Sequence, residues 1–410
     1  MRVTPPGGVA IITACLKRAG YHNIELFDAT WYPVDQEEFS RPDRDKERAK
    51  RQMFPEYKWE RDDVEPDFFT LENENMYAAW RKKVVEYKPD VIISSIVEDT
   101  YYLWNKFMDQ VSDREFISVV GGVFITYNPE EFVGKADYIC RGEGDEVIPE
   151  LMNLISEGKD GHHLSNIYPN AMRSALNVNT LPPTDHEIFD KRSLYRPFQG
   201  KIIKIATVET QRGCPFKCKF CNSPSNAVVY KEETDSLFFR HRTVEHIEME
   251  IQHLIKTIDV EFLWIVTDTL LTTSKKKFDE FCDMYSKYKI PFFAQTRPEL
   301  LSTHQAKRLL EIGCQKLNMG VEHGDPQFRK DIIGRVYDNQ KAIDAFRIAR
   351  EAGLNTTCNF IIGYPYETME NCMKSVDLAS QIDCDDINAF IFTPYHGTPM
   401  RDMCVQGGFI

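Results

Sequence analysis

Residues 202–224 read IIKIATVETQRGCPFKCKFCNSP: an apolar, β-branched run, a short polar turn, then Cys214, Cys218 and Cys221 within eight positions. IIKIATV predicts a strand, because β-branched side chains pack well on a pleated surface. Downstream, further strands are predicted at EFLWIV (261–266), PFFAQT (291–296), QKLNMGV (315–321), TTCNFIIG (356–363) and INAFIF (387–392). Between them lie helical patterns such as TVEHIEMEIQHLIKTI, where Val244, Ile247, Ile251, Leu254, Ile255 and Ile258 fall on one face. Other helices run into Gly313 and Gly353, as helix C-termini often do. Six strand-helix units curl into a partial or full barrel, whose ligands sit at the carboxyl ends of the strands. The three cysteines fall in the loop just after the first of these strands.

The preceding region also alternates. NIELFDA, PDVIISSI, FISVVGG and ADYICRG read as strands; NMYAAWRKKVVEY, YYLWNKFMDQV and EVIPELMNLI read as helices. This predicts an α/β chain with a parallel, Rossmann-like N-terminal domain at 1–156, a linker at 157–201 and a barrel at 202–410. A charged, Pro- and aromatic-rich insertion at 34–72 follows no periodicity. The chain opens on a Pro-Pro-Gly-Gly turn leading directly into the helix VAIITACLKRAG, so a first strand is expected to be missing. The stretch 157–201 is polar and punctuated by Pro and Asn. His162 and His163 lie in it without a partner cluster, and we expect no metal there.

Composition narrows the function classes. The 410 residues suffice for two cores, and 42% hydrophobic with 28% charged residues indicates a globular chain. No apolar run is long enough to span a membrane, and a net charge of -13 opposes a phosphate backbone. We therefore expect a cytoplasmic protein with no nucleic-acid or membrane partner. The basic stretch at 41–52 interleaves acids with its bases and reads as solvated surface. Of 11 cysteines, those outside the opening motif are scattered singly, which is no disulfide framework.

Three close thiols pose a specific problem. A structural zinc site takes four ligands, and no second pair lies nearby. A cubane iron-sulfur cluster usually takes four thiolates, so three leave one iron open to an exogenous ligand. A zinc site completed from elsewhere in the chain stands as the alternative.

C-x-x-x-C-x-x-C after the first strand of a six-fold barrel, within RGCPFKCKFCNSP, resembles the radical S-adenosylmethionine (SAM) superfamily, and the wider wording resembles its subgroup with an N-terminal cobalamin-binding domain. The resemblance implies that Cys214, Cys218 and Cys221 hold a 4Fe-4S cluster whose fourth iron is chelated by SAM. Reductive cleavage of SAM would then give a 5'-deoxyadenosyl radical that abstracts hydrogen from substrate. It implies that Phe220 lies near the adenine, that Asp268 (IVTDT) and Glu322 (MGVEHG) bind the ammonium or ribose, and that Arg297 (QTRPEL) pairs with the methionine carboxylate. FIIGYPYET at 360–368 resembles the fifth-strand motif, with Gly363 allowing close backbone approach.

VVGGVFITYNPEEF at 119–132 and DYICRGEGDEVIPEL at 137–151 resemble the end of a cobalamin-binding domain, which makes Ser94, Ser95, Gly121, Gly122 and Gly142 the expected lining of a cobalamin pocket. There is no D-x-H-x-x-G, and Val123 and Phe124 stand where relatives often carry a histidine, so cobalt would lack that ligand. With cobalamin, the resemblance implies methylation of an unactivated carbon or phosphorus centre in a small-molecule substrate. Without it, rearrangement or ring formation is implied, and a non-catalytic iron-sulfur carrier or scaffold is the reading from another class. A flavodoxin or ferredoxin is the implied electron donor. TPYHGTPMRDMCVQGGFI ends just after the sixth strand, where relatives usually continue, so a shortened C-terminus is expected.

Overall fold

The computed structural model describes residues 5–32, 61–65 and 68–410; most of the insertion at 34–72, and the basic stretch at 41–52, lie outside them. The chain forms two compact units, one of Met1–His162, Thr184–Ala206 and Lys256–Val260, the other of His163–Pro183, Thr207–Ile255 and Glu261–Ile410. The expected α/β class is observed.

In the first unit, β1 (Val91–Ser95), β2 (Ile117–Gly121) and β3 (Tyr138–Ile139) form a parallel sheet in that order. Helices Gly7–Arg18, Met76–Tyr87, Tyr101–Asp109 and Val147–Ser156 accompany it. The second of these starts where Asn75 accepts hydrogen bonds from the Tyr77 and Ala78 amides, and it ends at Lys88 in the left-handed region. NIELFDA is not a strand. Its backbone is held by side chains instead: Tyr87 donates to the Asn23 carbonyl at 2.7 Å, and Phe27 packs on Tyr32, Trp80 and Phe107. The stretch 157–201, expected as a linker, divides between the two units and contributes buried Leu164, Ile167, Met172, Phe189 and Leu194.

The larger sheet has the order β12-β11-β10-β9-β8-β5-β4. Its members are β4 (Tyr195–Phe198), β5 (Lys201–Val208), β8 (Phe262–Ile265), β9 (Phe292–Thr296), β10 (Cys314–Glu322), β11 (Thr356–Ile362) and β12 (Asp386–Ile391). β6 (Gln211–Arg212) and β7 (Arg240–His241) form a separate two-stranded ribbon. β4 and β5 pair antiparallel, whereas β8 through β12 are parallel, which gives an open partial barrel. One sheet face carries Leu263, Phe292, Ala294, Leu317, Met319 and Cys358, all buried. The other carries the stacked Trp264 and Phe293, 4.1 Å between ring centres, and Asn359, whose side chain accepts from Asn388. Alternation of this kind follows from the two-residue period of a strand. All six predicted barrel strands are present, and their carboxyl ends, with the loops that follow, carry the site.

Candidate functional site

The loop after β5 is fixed before it reaches the cysteines. Arg242, in a buried ion pair with Glu250, donates to the Glu209 carbonyl at 2.8 Å, and its own amide bonds the Thr210 carbonyl. Buried Gln211 donates to the Thr269 carbonyl at 3.0 Å and accepts from Thr272. Gly213 then turns with φ +88; a Cβ there would stand 2.9 Å from the Phe238 ring and 3.0 Å from its carbonyl oxygen, so only glycine fits before Cys214.

The three thiols occupy different parts of this turn. Cys214 Sγ lies 3.7 Å from the Thr269 hydroxyl. Cys218 is buried, and the next amide, Lys219, bonds the Ile333 carbonyl at 2.9 Å. Cys221 is the N-cap residue of helix Asn222–Thr234, which has no side-chain oxygen as a cap. The Cys221 side chain makes no capping hydrogen bond to that helix. Burial pushes the Cys214 thiol up; it pushes Cys221 up to about 12, with Asp268 and the other two thiols adding to the effect. Cys218 sits beside two cations, Arg335 Nε at 3.2 Å and Arg297 Nη1 at 3.7 Å from its sulfur.

Among the described residues no group of three or more His, Cys, Asp or Glu side chains is placed to hold a single metal ion. A cubane cluster has no such need, since each thiolate takes its own iron. Three separate thiols in a partly buried loop, with two guanidiniums to offset negative charge, fit that group.

The other expected residues of the barrel surround the same loop. Asp268 accepts from Ser223 at 2.5 Å, and burial raises its pKa. Glu322 adopts φ +71, pairs with Arg335 at 3.1 Å and is raised by burial. The guanidinium of Arg297 is engaged by Glu299 and stacks on Phe216, 3.8 Å from the ring centre. The Phe220 ring lies 6.2 Å from that of Tyr364. Gly363, at φ +80, donates its amide to Glu367. Sequence reasoning missed Arg335, His323, Glu367 and Tyr364. Arg335 stands 117 positions from Cys218, and no local spacing links the two. The Tyr364 hydroxyl is buried without a hydrogen-bond partner.

In the first unit, Ser94, Ser95, Gly121, Gly122 and Gly142 gather at the carboxyl edge of the small sheet. Ser95 is the register partner of Gly121. Gly122 has φ +114, and a Cβ would meet the Ile96 carbonyl oxygen at 2.5 Å. The Gly142 amide bonds the Thr126 hydroxyl at 3.1 Å. Val97 and Val123 are exposed there, while Phe124 is buried. Such an edge is where open parallel sheets bind ligands.

The site is thus a parallel partial barrel with three thiols in the loop after its first strand. Residues 208–379 match the model of the Radical SAM superfamily, so the chain carries a radical SAM domain. It is a radical SAM enzyme, and its family cofactors are a 4Fe-4S cluster and SAM. The chain is 26% identical over 352 residues to an uncharacterised methyltransferase of Pyrococcus horikoshii, covering 80% of this chain and 72% of that one. It is 23% identical over 423 residues to the anaerobic magnesium-protoporphyrin IX monomethyl ester cyclase of Cereibacter sphaeroides, covering 97% of this chain and 60% of the cyclase. Among solved structures, the radical SAM methyltransferase TsrM from Kitasatospora setae, with cobalamin and a 4Fe-4S cluster bound, aligns with a TM-score of 0.69 at 15% identity, over 99% of this chain and 76% of TsrM. That likeness is one of fold. Among the described residues no helix is long and apolar enough to cross a membrane.

Proposed function

We propose that the protein is a cobalamin-dependent radical SAM methyltransferase acting on an unactivated carbon or phosphorus centre of a small-molecule substrate. One observation carries this reading: a single chain combines a thiol loop fit for the cluster with a parallel sheet whose carboxyl edge is lined by glycine and exposed valine. Cys214, Cys218 and Cys221 hold the cluster. Phe220, Asp268, Arg297, Glu322 and Gly363 surround SAM, and Ser94, Ser95, Gly121, Gly122 and Gly142 line the cobalamin site. Together these groups supply hydrogen abstraction and a transferable methyl group. The chain's own residues orient them. Asp268, its pKa raised by burial, is held by Ser223 and offers an oxygen to a hydroxyl or ammonium donor. Gly122, whose Cβ position is filled by the Ile96 backbone, lets the chain turn sharply at this strand end. Val123 and Phe124 offer no imidazole to the metal. The TsrM likeness and the P. horikoshii relative support this reading. A flavodoxin or ferredoxin supplies the electron.

A second reading is ring formation without bound cobalamin, and the match to the cyclase along 97% of this chain supports its ring-forming part. One experiment separates the two. The anaerobically purified, iron-reconstituted protein is mixed with hydroxocobalamin and desalted, and its corrinoid and iron are measured. Stoichiometric corrinoid beside about four irons per chain supports methyl transfer; iron without corrinoid sinks it in favour of ring formation. Incubation with SAM and dithionite then gives 5'-deoxyadenosine under either reading.

A further inference from the structure

We propose that Arg335 raises the reduction potential of the cluster by placing a fixed positive charge and an N–H against the sulfur of Cys218. The proposal rests on the reading that the three cysteines hold the cluster.

The guanidinium is immobile because every edge of it is engaged. Nε points to Cys218 Sγ at 3.2 Å, Nη1 donates to the Gly320 carbonyl at 2.6 Å, and Nη2 meets Glu322 Oε1 at 3.1 Å. The residue is 7% exposed. A guanidinium keeps its charge when buried, and Glu322 stands 3.1 Å from Nη2 to answer it. Its backbone is tied to the same loop: Gly334, at φ +82, leaves no room for a Cβ, which would stand 2.8 Å from the Lys217 carbonyl oxygen. The Lys219 amide bonds the neighbouring Ile333 carbonyl, and the Arg335 amide bonds the Arg329 carbonyl at 3.0 Å. Arginine and cysteine loop therefore hold one another in place.

The second cation near this sulfur is differently disposed. Arg297 gives Nε and Nη2 to Glu299, stacks on Phe216 and comes no closer than 3.7 Å to Cys218. Its charge is largely answered by its own carboxylate. Arg335 is thus the nearer donor, and Glu322, behind it, pulls in the opposite electrostatic direction. A donor to a ligating sulfur, and a positive charge in a low-dielectric surrounding, both favour the more negative, reduced state of a cluster. Arg335 acts through Cys218 and is a positioning residue in this sense: it sets how readily the site accepts the electron.

The test is a redox titration of the reconstituted holoprotein without SAM, followed by the paramagnetic signal of the reduced cluster. Arg335→Gln is expected to shift the midpoint negative, Arg335→Lys to shift it less, and Glu322→Gln to shift it positive. A merely structural role would lower the iron occupancy of the variants and leave the loaded fraction at the wild-type potential. Unchanged potentials, or shifts of one sign for Arg335→Gln and Glu322→Gln, overturn the proposal. Should Arg335→Gln take up no iron, the opposite signs required of Arg335→Lys and Glu322→Gln decide it. Wild-type protein that binds no iron would sink the cluster reading along with it; iron with unaltered potentials would sink this inference alone.

Discussion

His323 Nε2 lies 3.0 Å from Glu367 Oε1, which joins the loop after β10 to the turn after β11. The other oxygen of Glu367 accepts the Gly363 amide and, at 3.1 Å, the Tyr364 amide. A carboxylate bonded to two amides and an imidazole is a rigid hinge pin, since charge-assisted hydrogen bonds are about twice as strong as neutral ones. Glu367→Ala is expected to cost about 1–3 kcal/mol of stability, because it removes the acceptor that ties the two amides to His323. SAM affinity should fall as Gly363 loses its fixed position. Thermal unfolding and equilibrium dialysis with labelled SAM check the two effects, and normal SAM binding in the variant would contradict the second.

Asp325 predicts a specific acid sensitivity. Burial alone would raise its pKa, but Lys374, Asn371 and the Phe328 and Gln327 amides draw it down to about 2. A carboxyl whose folded pKa lies below its ordinary value of 3.8 stabilises the fold above that value. The stabilisation, about 1 to 2 kcal/mol after allowance for screening by solvent, is lost as the pH falls from about 4 toward 2. Asp325→Asn should be less stable than wild type at neutral pH and should show a flatter stability profile in that window, as read by denaturant midpoints.

Gly324, beside it, is required for a different reason. A Cβ there would stand 2.0 Å from the Lys374 carbonyl oxygen and 2.4 Å from Ser375 Cα, both backbone atoms that cannot rotate aside. Gly324→Ala is expected to destabilise by about 1–3 kcal/mol through overpacking. An unchanged melting temperature would mean that helix Met369–Gln381 shifts freely.

Gly122 tests the proposed cobalamin site. Its positive φ and the 2.5 Å approach of the Ile96 carbonyl exclude a side chain. Gly122→Val should reduce corrinoid retained after desalting several-fold while iron content stays at the wild-type level. Equal retention would remove this strand end from the cobalamin reading. By contrast, Cys218→Ala should abolish cluster loading, measured as iron and sulfide per chain.

The legible parts of the fold are those where local pattern and tertiary role agree. The barrel strands from 261 to 392 are apolar runs between helical segments, and each forms. NIELFDA has similar alternation but does not form a strand. Lys83 Nζ meets Glu25 at 2.7 Å, and Phe27 lies in an aromatic cluster, so helix side chains take the place of a neighbouring strand. Alternation predicts an extended backbone but not what pairs with it. The 157–201 stretch misleads for the opposite reason: its apolar residues are buried without regular spacing. At the site, the cysteines announce themselves by proximity in sequence. Arg335, His323 and Glu367 reach it only through the folding of β10 and β11 beside one another, and nothing in GRV or EHG marks them out.

Cys221 belongs at once to the thiol loop and to the N-cap position of helix Asn222–Thr234, where its side chain makes no capping hydrogen bond. The helix is thereby a gauge of the loop. Negative charge on that sulfur lies at the positive end of the backbone dipole and supports the helix; alkylation, which removes the charge, withdraws that support. Fraying at Ser223 and its neighbours, seen as faster amide exchange, would then record damage to the proposed cluster site.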